Sequence, residues 1–260
     1  MSNKIKIINT SPFYCKPVDI YAESRRSGSI TAGVLKSSSF LPETPEITLD
    51  FESILPFAAK ELDISSDIKD YMLWPVIMMT SDLPNRNGVA FPLKELVRWN
   101  PERGAQSYKT WNGMGLCVEH ANGYAEKKDP AFGLIADTHL SQLKGYSQNK
   151  LWKVVAMMAL DRTKDLELTE KILSGQLNST SMGAYTQSYS CGYCGAEFGQ
   201  CDHLNTRASY DFYELLEADG SKSLVFRNVH GISAIENSFV HDPAYRVALF
   251  DSSKPQTFLE

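Results

Sequence analysis

Asn178–His203 reads NSTSMGAYTQSYSCGYCGAEFGQCDH. Its first part, within Gln176–Tyr189, reads as a strand of small residues carrying Ser181. Its second part packs three cysteines and a histidine into thirteen residues. Around it strand signals outnumber helical ones. Trp74–Thr80 (WPVIMMT) is an apolar strand, and Phe132–Asp137 and Trp152–Leu160 are two more, the second apolar enough to be central. Gly115–His120 (GLCVEH) is a strand running up to His120, and Leu224–Val240 holds a further strand or two. Helical signals are fewer. Thr163–Gly175 is the clearest, with Thr163 or Asp165 as cap, Leu168, Ile172 and Leu173 as apolar stripe, and Gly175 as stop. Phe51–Leu62 predicts a helix interrupted by Pro56, and Pro92–Trp99 a short amphipathic one. Pro84–Gly88 is a turn, because Asn-Gly tolerates positive φ. No βαβ rhythm repeats. The expected fold class is α+β, mainly β, with a few packed helices and a small zinc ribbon.

The remaining composition bounds the function. The chain has 260 residues, 43% apolar and 22% charged, enough for a large core. A net charge of −5 without a basic run leaves no nucleic-acid footprint. No apolar stretch nears the ~20 residues that span a bilayer. The start, MSNKIKIINT, lacks the pattern of a secretory signal, and five cysteines with three in one cluster do not form a disulfide framework. A reducing cytoplasm is expected. Residues 1–70 are the least legible part: Lys4–Asn9 alternates like a strand and Lys36–Glu46 is a Ser/Pro-rich loop. We read them as an N-terminal extension, a propeptide or an arm, ahead of a domain over 71–250 that contains a zinc insertion at 190–204.

The candidate chemistry has two parts. A serine hydroxyl needs a base to become a nucleophile, and histidine is the usual one. Thr180, Gly183 and Ala184 beside Ser181 leave room for a substrate backbone, and Gly183 lets main-chain N–H groups approach an oxyanion. Ser179 competes with Ser181, because the two share a strand face. In the second part, Cys191, Cys194, Cys201 and His203 form a closed tetrahedral set for zinc. Having no vacant position, it suits structure rather than catalysis. A redox C-x-x-C pair would leave Cys201 and His203 unexplained. Cys117, in an apolar strand, reads as a small core residue.

After a strand at Trp74, five motifs occur in a telling order: NRNGVAFPLKELV, SYKTWNGMGLCVEHAN, FGLIADTH, SGQLNSTSMGAY and finally IENSFVHDPAYRVAL. Over Trp74–Ala248 the chain resembles the prohead maturation proteases of tailed bacteriophages, serine proteases that share a fold with herpesvirus capsid-assembly proteases. The resemblance implies a closed or barrel-like antiparallel β core. It implies His120 as general base and Ser181 as nucleophile. The third catalytic member falls on His230–Val240, where alternation puts His230, Ile232, Ala234 and Glu236 on one face. Glu236 matches the family's acidic position, with His230 second and Asp242 third. Gly115 stands where family members often have a proline. Some phage members carry a similar cysteine-rich insertion after the serine strand.

The implied function is a serine endopeptidase that cuts scaffold and major capsid protein precursors, and itself, inside an assembling prohead in the host cytoplasm. Nucleic acid and membrane are not expected partners; a homo-oligomer is compatible, since the herpesvirus relatives work as dimers. The alternative is a catalytically inactive capsid or core component that keeps the fold and the zinc ribbon. A zinc hydrolase is a third reading, but a Cys3His set offers no open position and no H-E-x-x-H spacing exists.

Overall fold

The protein is described from a computed structural model, which covers residues 30–33, 46–49, 51–119, 130–142, 151–205, 213–250 and 256–257. Lys4–Asn9, most of Lys36–Glu46 and His120 lie outside the described residues.

A hairpin, β1 (Ile30–Gly33) with β2 (Glu46–Leu49), precedes helix α1 (Phe51–Leu62). The centre is an antiparallel sheet in the order β16 (Gln256–Thr257), β3 (Tyr71–Thr80), β9 (Trp152–Asp161) and β8 (Gly133–Gln142). Its strands are apolar on both faces because both faces are covered. Met72, Trp74, Val76 and Met78 of β3 join Val154, Ala156, Met158 and Leu160 of β9 in the main core. Tyr71, Leu73 and Ala159 point the other way, onto Ile54, Leu55, Ala58, Ala59 and Leu62 of α1. The core therefore includes α1, within the stretch read as an extension. Pro56 stays in that helix on its exposed side, and the buried apolar stripe offsets the hydrogen bond that proline forfeits. Pro75 is tolerated in β3 because β16 pairs only with Met72 and Leu73.

Two smaller sheets pack on the main core. One has the order β10 (Thr180–Tyr185), β15 (Ser233–Phe239), β7 (Leu116–Val118); the other β11 (Ser188–Cys191), β14 (Arg227–His230), β4 (Val89–Ala90). Two-stranded pairs β5 (Trp99–Asn100) with β6 (Ala105–Gln106), and β12 (Tyr213–Leu216) with β13 (Lys222–Val225), complete the set.

The mainly β expectation holds, with differences. Among the described residues the sheets are open and none closes into a barrel. The ladders are also not all antiparallel: β15 runs parallel to β7, and β14 to β4. The helix expected over Pro92–Trp99 is a single turn, α2 (Leu93–Leu96). Helix α3 (Leu166–Leu173) is capped by Asp165, whose carboxylate accepts from Leu168 N at 2.9 Å, and Gly175 ends it at φ 74°. Leu168, Thr169 and Ile172 are its buried side, while Leu173, expected in the stripe, is exposed.

Candidate functional site

Ser181 is the second residue of β10 and is 8% exposed. It lies opposite Ser238 of β15, and Gly183 lies opposite Glu236. Ser238 in turn lies opposite Cys117 of β7. One face of this sheet therefore carries the row Ser181, Ser238, Cys117, with Glu236 beside it at two-residue spacing. Ser238 Oγ donates to Glu236 Oε2. A Cβ on Gly183 would meet Glu236 Oε1 at 2.5 Å. The sequence reading kept that space for a substrate backbone; here the Glu236 carboxylate fills it.

The competition with Ser179 has a physical answer. Ser179 is buried and donates to Val240 O at 2.5 Å, so its hydroxyl serves the backbone. No hydrogen bond from Ser181 Oγ occurs among the described residues. Strand β7 ends two residues before His120 in the sequence: Glu119 N donates to Phe239 O at 2.9 Å, and Glu119 takes φ 55°. Val118 lies opposite Phe239, which lies opposite Thr180, so β7 ends one register step from the Ser181 row.

The three candidates for the third catalytic member separate. Glu236 is on the Ser181 face. Asp242 is on the surface, paired with Arg86. His230 does not share a face with Glu236, as alternation had suggested. Gly231, at φ 64°, breaks the strand there, so His230 ends β14 in a different sheet. His230 has its own partners: its Nε2 lies 2.8 Å from Ser190 Oγ, and its Nδ1 3.3 Å from Glu95 Oε1. Glu95 also accepts from Gly231 N at 3.2 Å and pairs with Arg98. Burial raises the Glu95 carboxyl, but the Gly231 N–H, His230 and Arg98 outweigh it and hold it below its ordinary value. This serine–histidine–carboxylate chain was not anticipated. Glu95 is 135 positions from His230, and no local signal links them. Ser238 had a signal that went unused, its two-residue spacing from Glu236 on an alternating strand.

The main-chain polar groups around Ser181 are arranged by the ladder. Val240 N donates to Ser179 O at 3.1 Å, so Ser179 faces β15. Thr180 N donates to Ala248 O at 2.9 Å, away from β15. Alternation then turns the Met182 N–H away from β15 as well, toward the edge on which Leu249 bridges Ser179 and no described strand pairs beyond it. On this side lies a cavity of about 180 Å³ whose walls include Thr180, Ser181, Met182, Thr186, Phe91 and Tyr245.

The second cluster is well formed. The donor atoms of Cys191, Cys194, Cys201 and His203 all lie within 4.8 Å of one another. A tetrahedral zinc with bonds of about 2.3 Å sets its sulfurs about 3.8 Å apart, so a small contraction would close the cage. β11 ends at Cys191, and Gly195, at φ 76°, turns the chain so that its N–H donates to Cys191 O at 2.8 Å. Gly192 has no room for a Cβ, because the Phe226 ring would lie 2.5 Å away. His203 follows Asp202 at the start of helix α4 (Asp202–Asn205), and its Nδ1 is buried without a hydrogen-bond partner. Burial pushes the Cys191 thiol up, while the Ala196 N–H holds Cys194 below its ordinary value. An orphaned imidazole nitrogen among three sulfurs fits a thiophilic metal ion.

No family model, no curated protein and no solved structure matches the chain. No described helix is long and apolar enough to cross a membrane.

Proposed function

We propose that the protein is a serine endopeptidase, with Ser181 as nucleophile, His120 as general base and Glu236 as the carboxylate that orients the base. The observation that supports this most is the shared sheet face. Ser181 lies opposite Ser238, Ser238 holds Glu236, and β7 on the other side of β15 leads to His120. In the proposed reaction His120 takes the Ser181 proton as Oγ attacks the peptide carbonyl. The amine leaves with that proton, and water hydrolyses the acyl-enzyme. Met182 N–H, next to Ser181 and aimed away from β15, is the proposed oxyanion donor. Beyond Thr180, where Ala248 O takes the N–H, the edge of β10 has no described strand partner and suits an extended peptide that adds as a strand.

The motif order supports a phage prohead enzyme whose substrates are scaffold and major capsid protein precursors, and itself. The Cys3His cluster suits zinc held by Cys191, Cys194, Cys201 and His203, which would supply a covalent-strength staple for the segment after β10. Wild-type and Ser181→Ala protein incubated with scaffold and capsid precursors, followed by intact mass, tests the assignment. Cleavage by wild type alone is the expected result. Absence of cleavage by either would favour the inactive capsid component.

One observation favours a second reading, hydrolysis at Ser190, which sits 2.8 Å from His230. The Cys191 N–H that follows Ser190, however, already donates to Ala196 O at 2.8 Å, so it is not free for an oxyanion. Ser190→Ala in the same experiment separates the two.

A further inference from the structure

The cavity beside Ser181 has a chemistry of its own. Phe91, Met78, Val89, Val229 and Met182 give it apolar walls. Three of its lining residues, Thr180, Thr186 and Tyr245, carry buried hydroxyls that have no hydrogen-bond partner among the described residues. Thr180 and Tyr245 are 0% and 6% exposed. Burial raises the Tyr245 phenol, so it stays a neutral donor. Buried polar groups are almost always paired, and three orphans around one cavity call for a common partner. No Lys, Arg, His, Asp or Glu is among the lining residues. At about 180 Å³ the space holds one side chain, since cavities of roughly 150 Å³ take a benzene-sized group.

We propose that this cavity is the specificity pocket of the protease, and that it takes a neutral hydrogen-bonding side chain, an amide of glutamine or asparagine type, from the substrate residue beside the bond cut. This rests on the serine protease reading of Ser181. Three facts select the amide. An ionised carboxylate or ammonium would lose its hydration and meet no counter-charge. A purely apolar side chain would leave the three hydroxyls unpaired, the situation that sites built for hydrogen bonding reject most strongly. An amide offers both an acceptor for a hydroxyl proton and N–H donors for hydroxyl oxygens. The pocket also lies where a substrate would: Thr180, Ser181 and Met182 all line it, so a peptide paired along β10 beyond Thr180 passes its mouth and directs alternate side chains toward and away from it.

Two measurements test this and separate it from the protease reading. The first titrates the full chain with side-chain analogues, propionamide, propionate and propylamine, and follows amide resonances of Thr180, Met182 and Thr186. Saturable shifts with propionamide alone are expected, weakened about tenfold for each hydroxyl removed in Thr180→Val and Tyr245→Phe. Both substitutions delete a group that has no partner, so the variants fold. Equal binding of propionate, or no propionamide shift up to its solubility limit, overturns the proposal whether or not the protein cleaves anything. The second scans peptide positions with wild-type enzyme. A preference of at least tenfold for Gln or Asn over Glu, Lys and Leu at one position beside the cut is expected. Cleavage with equal rates for all five overturns the pocket assignment and leaves the protease reading standing. Absence of cleavage alongside selective propionamide binding overturns the protease reading and leaves an amide-binding pocket.

Discussion

Gly183→Ala probes the placing of Glu236 beside Ser181 without substituting either residue. The new Cβ would meet Glu236 Oε1 at 2.5 Å, whereas ordinary contact begins near 3.4 Å, so the carboxylate must recede by about 0.9 Å. The next two atoms, Cδ at 3.3 Å and Cγ at 3.4 Å, need hardly move, so the response is a swing of the side-chain end. A side chain forced off its rotamer costs about 0.5–1.5 kcal/mol. Losing the Ser238 bond to a charged acceptor costs about 1.5–3 kcal/mol. Alanine returns about 0.4–1 kcal/mol by restricting the unfolded chain. The expected net loss of stability is about 1–4 kcal/mol, which urea unfolding resolves. Activity should fall further than stability suggests, because a misplacement near 1 Å costs about 100-fold in rate. The assay is kcat/KM on a cleaved precursor peptide, in wild-type and Glu236→Ala backgrounds. A ~100-fold loss is expected in the first and less than ~3-fold in the second, because the clashing carboxylate is absent there. Equal losses in both backgrounds, or none in wild type, would refute the argument that Gly183 exists to seat Glu236.

Further outcomes follow from the same geometry. Glu95→Gln should make stability less sensitive to acid. The Glu95 carboxyl sits below its ordinary value in the folded protein, so its contribution is present above the unfolded value and is lost as pH falls through the folded one. The wild-type advantage over the variant, measured by urea unfolding, should therefore shrink as pH drops below about 4. Lys109, fully buried and 2.9 Å from Asp137, should cost about 3 kcal/mol when replaced by alanine, and less when replaced by methionine, which keeps the stem packed. Purified protein should carry one zinc per chain by elemental analysis, and Cys201→Ser or a strong chelator should remove it and lower the thermal midpoint. Retention of the metal in Cys201→Ser would contradict the four-ligand set. Ser190→Ala should cost about 1–2 kcal/mol in stability and leave peptide hydrolysis within a few-fold of wild type, which a rate assay beside a melting curve would check.

Elements with strong local patterns were legible from the chain. Trp74–Thr80, Phe132–Asp137 and Trp152–Leu160 are apolar runs bounded by turn residues, and each became a long strand of the central sheet. The knuckle was legible because its ligands are close in sequence and the metal-type geometry is local. What the chain did not disclose depends on distant pairings. The parallel partnership of β15 with β7 joins residues more than a hundred positions apart, and no hydrophobic period encodes it. The face shared by His230 and Glu236 failed for a local reason that the sequence does contain. Gly231 takes positive φ and ends one strand before the next begins, so alternation cannot be counted through it. The cavity hydroxyls were invisible for a third reason, because Thr180, Thr186 and Tyr245 read as ordinary strand and loop residues until the fold gathers them.

The central claim is that Ser181 is the activated hydroxyl. Labelling the protein with a fluorophosphonate, which bonds covalently only to an activated serine, and locating the adduct by fragment-ion mass spectrometry tests this in one experiment. The account predicts a single adduct on Ser181, absent in Ser181→Ala and reduced in Glu236→Ala. An adduct on Ser190, or an unlabelled wild-type protein, would contradict it.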